Sequence, residues 1–131
     1  MSKILIIDDD PDLVEAMKVV LESKQYQVAV AKNGEEGLKK VRLDKPHLII
    51  LDVMMESMDK GFDVARVLKK DKDHKDIPIL MLTAIKEKTG LGFEKEAGDP
   101  DWLPVDDYCD KPLNPEELIS KVEVLLGKRG A

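Results

Sequence analysis

Three short runs constrain the fold more than anything else in the chain. Ile4-Leu5-Ile6-Ile7 (after Lys3), Leu48-Ile49-Ile50-Leu51 and Ile79-Leu80-Met81-Leu82 are apolar without polar alternation. A run of this length and pattern is a strand covered on both faces, which is the habit of parallel sheets. Each run also stops on a polar group: Asp8-Asp9-Asp10 after the first, Asp52 after the second, Thr83 after the third. In open parallel sheets ligands bind in the crevice beyond the carboxyl ends of the strands. Three adjacent strands would therefore bring two sets of carboxylates and a hydroxyl to one edge.

The segments between the runs carry helical signals. Asp10-Pro11 is an N-cap followed by proline at N1, and Leu13, Met17, Val20 and Leu21 follow at helical spacing. A second strand is expected over 26–31, then a helix opened by Asn33-Gly34-Glu35-Glu36 with Leu38 and Val41 inward. The first, third and fourth strands are expected over 3–8, 47–51 and 78–82. Gly61 is expected to precede a third helix over 62–71, with Val64, Val67 and Leu68 inward. A charged turn follows at 71–76. The stretch 84–106, with Gly90, Gly92, Gly98, Pro100 and Pro104, leaves room for no more than a short helix near 91–97. A short fifth strand near 106–109 precedes Asn114-Pro115-Glu116-Glu117, a capped start for the last helix, with Leu118, Val122 and Leu125 inward.

Strands alternating with helices imply a doubly wound five-stranded parallel α/β sheet, with helices on both faces and the flavodoxin-like order 2-1-3-4-5. That order sets strands one, three and four side by side. The 131 residues, 43% hydrophobic, suit one domain with an aliphatic core. We read it as one domain over 1–127 with a frayed tail at 128–131. Net charge of −6 argues against direct nucleic-acid binding and against an anionic membrane surface. The single cysteine, Cys109, allows no intrachain disulfide and fits a reducing, cytoplasmic setting. No signal peptide is read before the first strand, and no output domain after the last helix. No apolar run is long enough to span a bilayer.

The chemistry lies in the joint pattern. Asp8, Asp9 and Asp52 would place three carboxylates in one crevice, where like charges oppose each other unless a cation binds. A small set of carboxylate oxygens suits Mg²⁺. Asp10 is better used as the helix cap. A carboxylate such as Asp52 can act as a nucleophile and form an aspartyl-phosphate. Charge on a transferring phosphoryl group then needs a cation and hydrogen-bond donors, which Lys111 and Thr83 could supply. Taken singly, each residue has a plainer account: an acidic turn, a loop carboxylate, a solvated lysine, a structural threonine.

With Ile6-Ile7-Asp8-Asp9, Leu51-Asp52, Leu82-Thr83-Ala84 and Tyr108-Cys109-Asp110-Lys111-Pro112 in place, the chain resembles the receiver domain of two-component response regulators over nearly its whole length. The resemblance implies that Asp52 accepts phosphate from a sensor histidine kinase, in a reaction that needs Mg²⁺. It implies that Asp8, Asp9, Asp52 and the carbonyl of Met54 hold the metal, and that Thr83 and Lys111 contact the phosphoryl oxygens. Tyr108 would be an aromatic switch coupled to Thr83, and the Lys111-Pro112 bond would be cis. The protein would be a phosphoacceptor signalling domain rather than an enzyme, with self-catalysed phosphotransfer and autodephosphorylation. It would act on a downstream protein target whose identity the sequence does not give, with a homodimer left open.

Two departures stand out. Met55-Glu56 stands where the family usually has Met-Pro, and the stretch from Thr83 to Lys111 is longer than usual, the extra residues being Gly98 to Val105. Three other readings fit the residues less well. A phosphatase of the haloacid dehalogenase type would use Asp8 and Asp10 but leave Asp52 without a role. A flavodoxin-like cofactor binder would want a Ser/Thr/Gly-rich phosphate loop where Asp8-Asp9-Asp10-Pro11 stands. A phosphate-independent docking module would not need the intact acidic set and Lys111.

Overall fold

The structure, a computed structural model, describes residues 2–52, 58–83, 107–110 and 114–128. The chain runs β1 (Lys3–Ile7), α1 (Pro11–Ser23), β2 (Gln27–Ala31), α2 (Gly34–Leu43), β3 (Leu48–Asp52), α3 (Met58–Lys70), β4 (Ile79–Thr83), β5 (Asp107–Asp110) and α4 (Pro115–Lys128). The strands form one sheet in the order β2-β1-β3-β4-β5, every neighbour pair parallel. This is the doubly wound order read from the sequence.

The unbroken apolar runs are explained by the two cores. Leu5, Ile7, Ile49, Leu51, Ile79 and Met81 point to the face covered by α2 and α3, where they meet Val41, Val64, Ala65 and Leu68. Ile4, Ile6, Leu48, Ile50, Leu80 and Leu82 point to the other face, against Val14, Met17 and Leu21 of α1 and Leu118, Val122 and Leu125 of α4. Successive strand residues alternate between the two cores, so no position in Ile4–Ile7, Leu48–Leu51 or Ile79–Leu82 can be polar without burying that group. The edge strand β2 keeps the same alternation with lighter cover: Val28 and Val30 pack toward α1 and α4, Ala29 and Ala31 toward α2.

The expected caps are present. Asp10 Oδ1 accepts from the N–H groups of Asp12 (3.0 Å) and Leu13 (3.3 Å), with Pro11 at N1. Asn33 Oδ1 accepts from Glu36 N–H at 2.9 Å. Asn114 Oδ1 accepts from the N–H groups of Glu116 (2.9 Å) and Glu117 (3.1 Å).

Several expectations are corrected. The third helix begins at Met58 and runs through Gly61. A glycine inside a helix costs about 1 kcal/mol relative to alanine, which weakens a helix without ending it. Val67 is not inward; it is 44% exposed, and Ala65 takes its place in the core. At about 100° per residue, positions 64, 65 and 68 share a face and 67 lies off it. In α1 it is Val14 that is fully in the core, with Leu13 and Val20 at its margin. Helix α4 continues through Gly127 to Lys128, one residue past the expected domain edge. β4 starts at Ile79, not Pro78, and Pro78 serves instead through its carbonyl, which accepts from Ile49 N–H at 3.0 Å. The 71–76 turn is not merely a solvated run: His74 is buried and lies 2.8 Å from Asp71 through Nδ1. The short helix near 91–97, the segment Gly98 to Val105 and the Lys111-Pro112 bond lie outside the described residues.

Candidate functional site

The register of the sheet decides which residues meet. Ile7 is level with Leu51, so Asp8 follows β1 at the height of Asp52 on the adjoining strand. Asp52 is level with Leu82, which puts Thr83 one step further along β4. Thr83 is level with Asp110 at the end of β5. All these ends lie at the carboxyl edge of the parallel sheet, where the order β1-β3-β4-β5 makes them neighbours.

Asp8, Asp9 and Asp52 form a compact cluster, each offering a carboxylate oxygen within 4.8 Å of the others. Asp8 and Asp52 are each only 2% exposed, while Asp9 is exposed. Two features hold Asp8 in position. Its N–H donates to Ala31 O at 3.0 Å, which extends the β1–β2 ladder one bond beyond the strand. Its Oδ1 accepts the N–H of Asp10 at 3.0 Å, a turn in which an aspartate caps its own following backbone. Asp52 is held because it is the last residue of a strand whose other members are all buried.

Three carboxylates this close repel one another unless a cation shares them. Oxygens around an octahedral Mg²⁺ are separated by about 3 Å when adjacent and about 4 Å when opposite. The cluster is all oxygen, nearly at that spacing, and open to water on the Asp9 side. These residues fit a small divalent cation that keeps part of its hydration. Asp10 is not in the cluster: its carboxylate is spent on the N-terminus of α1. The phosphatase reading, which pairs Asp8 with Asp10, loses its second carboxylate.

Thr83 and Tyr108 are placed by their backbone as members of β4 and β5, with Tyr108 level with Met81. β5 is tied to α4 by the ion pair of Asp107 Oδ1 with Lys121 Nζ at 3.3 Å. Met54 and Lys111 lie outside the described residues; Lys111 is the residue that follows β5 in sequence. The Asx turn of Asp8 escaped the sequence reading, because three consecutive acids look alike there. The one available signal was that Asp8 stands two residues before the cap Asp10.

Comparison with known proteins agrees with this geometry. The family model described as the response regulator receiver domain matches residues 4–123. The alkaline phosphatase synthesis transcriptional regulatory protein PhoP of Bacillus subtilis is 41% identical over 125 residues, covering 95% of this chain and 48% of PhoP. The DNA-binding response regulator MtrA of Mycolicibacterium smegmatis is 38% identical over 125 residues, covering 95% of this chain and 50% of MtrA. The chain therefore spans about half the length of these relatives. Among solved structures, the signal receiver domain of a signal transduction histidine kinase from Syntrophus aciditrophicus has a TM-score of 0.82 at 33% identity, covering 98% of this chain and 92% of that one. The Vibrio cholerae chemotaxis protein CheY4 has a TM-score of 0.81 at 28% identity, covering 95% of this chain and 98% of that one. No described helix is long and apolar enough to cross a membrane. With the sheet order, the acidic strand ends and the family match agreeing over nearly the whole length, the chain belongs to the response regulator receiver family, the phosphorelay signalling module of two-component systems.

Proposed function

We propose that Asp52 is the phosphoacceptor of this receiver and that a sensor histidine kinase is its donor. The observation that carries the reading is the cluster of Asp8, Asp9 and Asp52 within 4.8 Å at the carboxyl edge of the sheet. Of the three, Asp52 belongs to the central strand and is nearly enclosed, which suits a nucleophile whose position must not vary. A carboxylate oxygen of Asp52 attacks the phosphorus of a phosphohistidine. The P–O bond forms as the P–N bond breaks, and the bond's electron pair stays on the imidazole nitrogen. Asp8 and Asp9, with Asp52 and the Met54 carbonyl, would hold Mg²⁺. When bound, it neutralises charge on the carboxylates and the phosphoryl oxygens. Thr83 and Lys111 are the proposed contacts of the phosphoryl oxygens, and Thr83 with Tyr108 the proposed switch.

The same reading makes transfer and later hydrolysis properties of the receiver itself. It implies a cytoplasmic setting, a downstream protein target that responds to the switch, and no direct contact of this domain with nucleic acid. Incubation with acetyl phosphate tests it. The wild type should gain one phosphoryl group with Mg²⁺ and none in EDTA, and Asp52→Ala should gain none in either. Labelling of Asp52→Ala equal to wild type would remove Asp52 from the role.

A further inference from the structure

We propose that the pole of the molecule opposite the acidic cluster is a docking surface for an acidic segment of a partner protein, anchored by an apolar residue at Leu43. Helices α2 and α3 lie side by side on one face of the sheet. Gly34 of α2 lies against Val64 of α3, and Arg42 at the end of α2 acts on the charge of Asp71 just past α3. The two helices are therefore parallel and end together, at the edge of the sheet away from Asp8 and Asp52. That end carries the exposed cations Lys39, Arg42, Lys45, Lys70, Lys72 and Lys75.

Favourable placement of cations at helix C-termini explains part of this pattern. It covers Lys40 and Arg42 in the last turn of α2 and Lys69 and Lys70 in that of α3, and the Lys40 and Lys69 ammonium groups are also engaged by main-chain carbonyls outside their helices: Lys40 by Val30 O, and Lys69 by Lys75 O (3.3 Å) and Ile77 O (3.1 Å). It does not explain Lys45, Lys72 and Lys75, which lie beyond the helices in the connections to β3 and β4. Of the carboxylates at this pole, Asp44 is engaged by Lys3 and Asp71 by His74 and the N–H of Asp73. Asp73 and Asp76 are exposed there too, so six exposed cations stand against these two carboxylates, on a chain whose net charge is −6.

Leu43, the last residue of α2, is 84% exposed, with the exposed cations Lys39, Arg42 and Lys45 near it in sequence. It also lines a cavity of about 230 Å³ with Leu5, Ala29, Pro46, Lys40 and the ion pair of Lys3 with Asp44. An exposed leucine beside a recess walled by Leu5, Ala29 and Pro46, at a pole rich in exposed cations, is complementary to an acidic peptide carrying an apolar side chain. Charge steers such an encounter and the buried apolar contact holds it. Nucleic acid fits less well, because its phosphates offer no apolar side chain for the recess beside Leu43 and the chain as a whole carries a net charge of −6.

The test is fluorescence anisotropy of a labelled peptide of glutamates with a leucine at every fourth position, titrated with the full chain. Binding should weaken steeply between about 50 and about 300 mM salt. Lys45→Glu combined with Lys72→Glu should lower affinity by about tenfold or more, and Leu43→Ala by several-fold. Lys24→Glu, a reversal at the end of α1 on the opposite face of the sheet, should change it by less than about twofold. Melting curves confirm that each variant is folded, and Mg²⁺-dependent labelling from acetyl phosphate should be unchanged in all of them. The proposal is overturned if no binding is seen, if Lys24→Glu weakens binding as much as the double reversal, or if duplex DNA binds more tightly than the peptide through the same cations.

Discussion

Asp9 is the exposed member of a cluster whose other two carboxylates are buried. Removing its charge relieves repulsion on Asp8 and Asp52 without opening a cavity. Asp9→Ala should therefore melt about 2–4 °C above wild type in EDTA, the shift that about 1 kcal/mol gives in a domain of this size. It should also gain less from added Mg²⁺, because one metal ligand is lost. Equal responses to Mg²⁺ in the two proteins would exclude Asp9 as a ligand. A second residue is strained. Gln25, which follows α1, has φ of 71°, in the left-handed region that glycine enters at little cost. Gln25→Gly should raise stability by about 0.5–1 kcal/mol, measured by urea denaturation, since no core contact is removed.

The elements meet through small residues as well as large ones. Helix α2 reaches β1 at Gly37, where an added Cβ would stand 2.5 Å from Cδ1 and 2.8 Å from Cγ1 of Ile7. Alanine gains about 1 kcal/mol of helix propensity over glycine, but overpacking a core costs about 1–3 kcal/mol. Because Ile7 is fully buried and two of its atoms are overlapped, the clash should win. Gly37→Ala is expected to lower the melting temperature by several degrees, and an unchanged or higher value would show that Ile7 repacks. The connection from α3 to β4 offers a pH test. The N–H of Asp73, and then the hydrogen bond from His74, hold the Asp71 carboxyl below the usual carboxylate range. A depressed carboxyl contributes fully above about pH 4, and its contribution is lost as the pH falls further. The melting difference between wild type and Asp71→Ala should therefore be present at neutral pH and shrink as pH drops below that point. A difference that persists undiminished in acid would place the role of Asp71 elsewhere.

At the scale of the molecule, β4 and β5 end level with each other, and residues 84–106 join Thr83 to the start of β5. If Thr83 moves toward a phosphoryl group and Tyr108 follows, both ends of that segment are displaced together. Trp102 is the only tryptophan in the chain and lies within it. Its emission should change when Mg²⁺ and beryllofluoride are added to wild type, and should stay constant in Asp52→Ala. Constant emission in the wild type at saturation would uncouple the segment from the switch.

The strand sequences alone determined the sheet. Residues buried on both faces must be apolar at every position, and that requirement is visible in Ile4 to Ile7, Leu48 to Leu51 and Ile79 to Leu82. The caps Asp10, Asn33 and Asn114 were equally legible, because a side chain that accepts from an N–H two or three residues away is a local interaction. The strand ends could be named as a candidate site for the same reason: polarity after an apolar run is a sequence property. Other features depended on partners distant in the chain. Whether Val67 or Ala65 faces the core is set by where α2 and the sheet lie against α3, and the two sit only two positions apart. Gly37 is required by a side chain of β1, and His74 is covered by a fold of the α3–β4 connection that its charges concealed. The spacing of the acidic cluster was likewise a tertiary decision. Asp8 and Asp52 are 44 positions apart in sequence, and only the parallel pairing of Ile7 with Leu51 makes their carboxylates share one crevice.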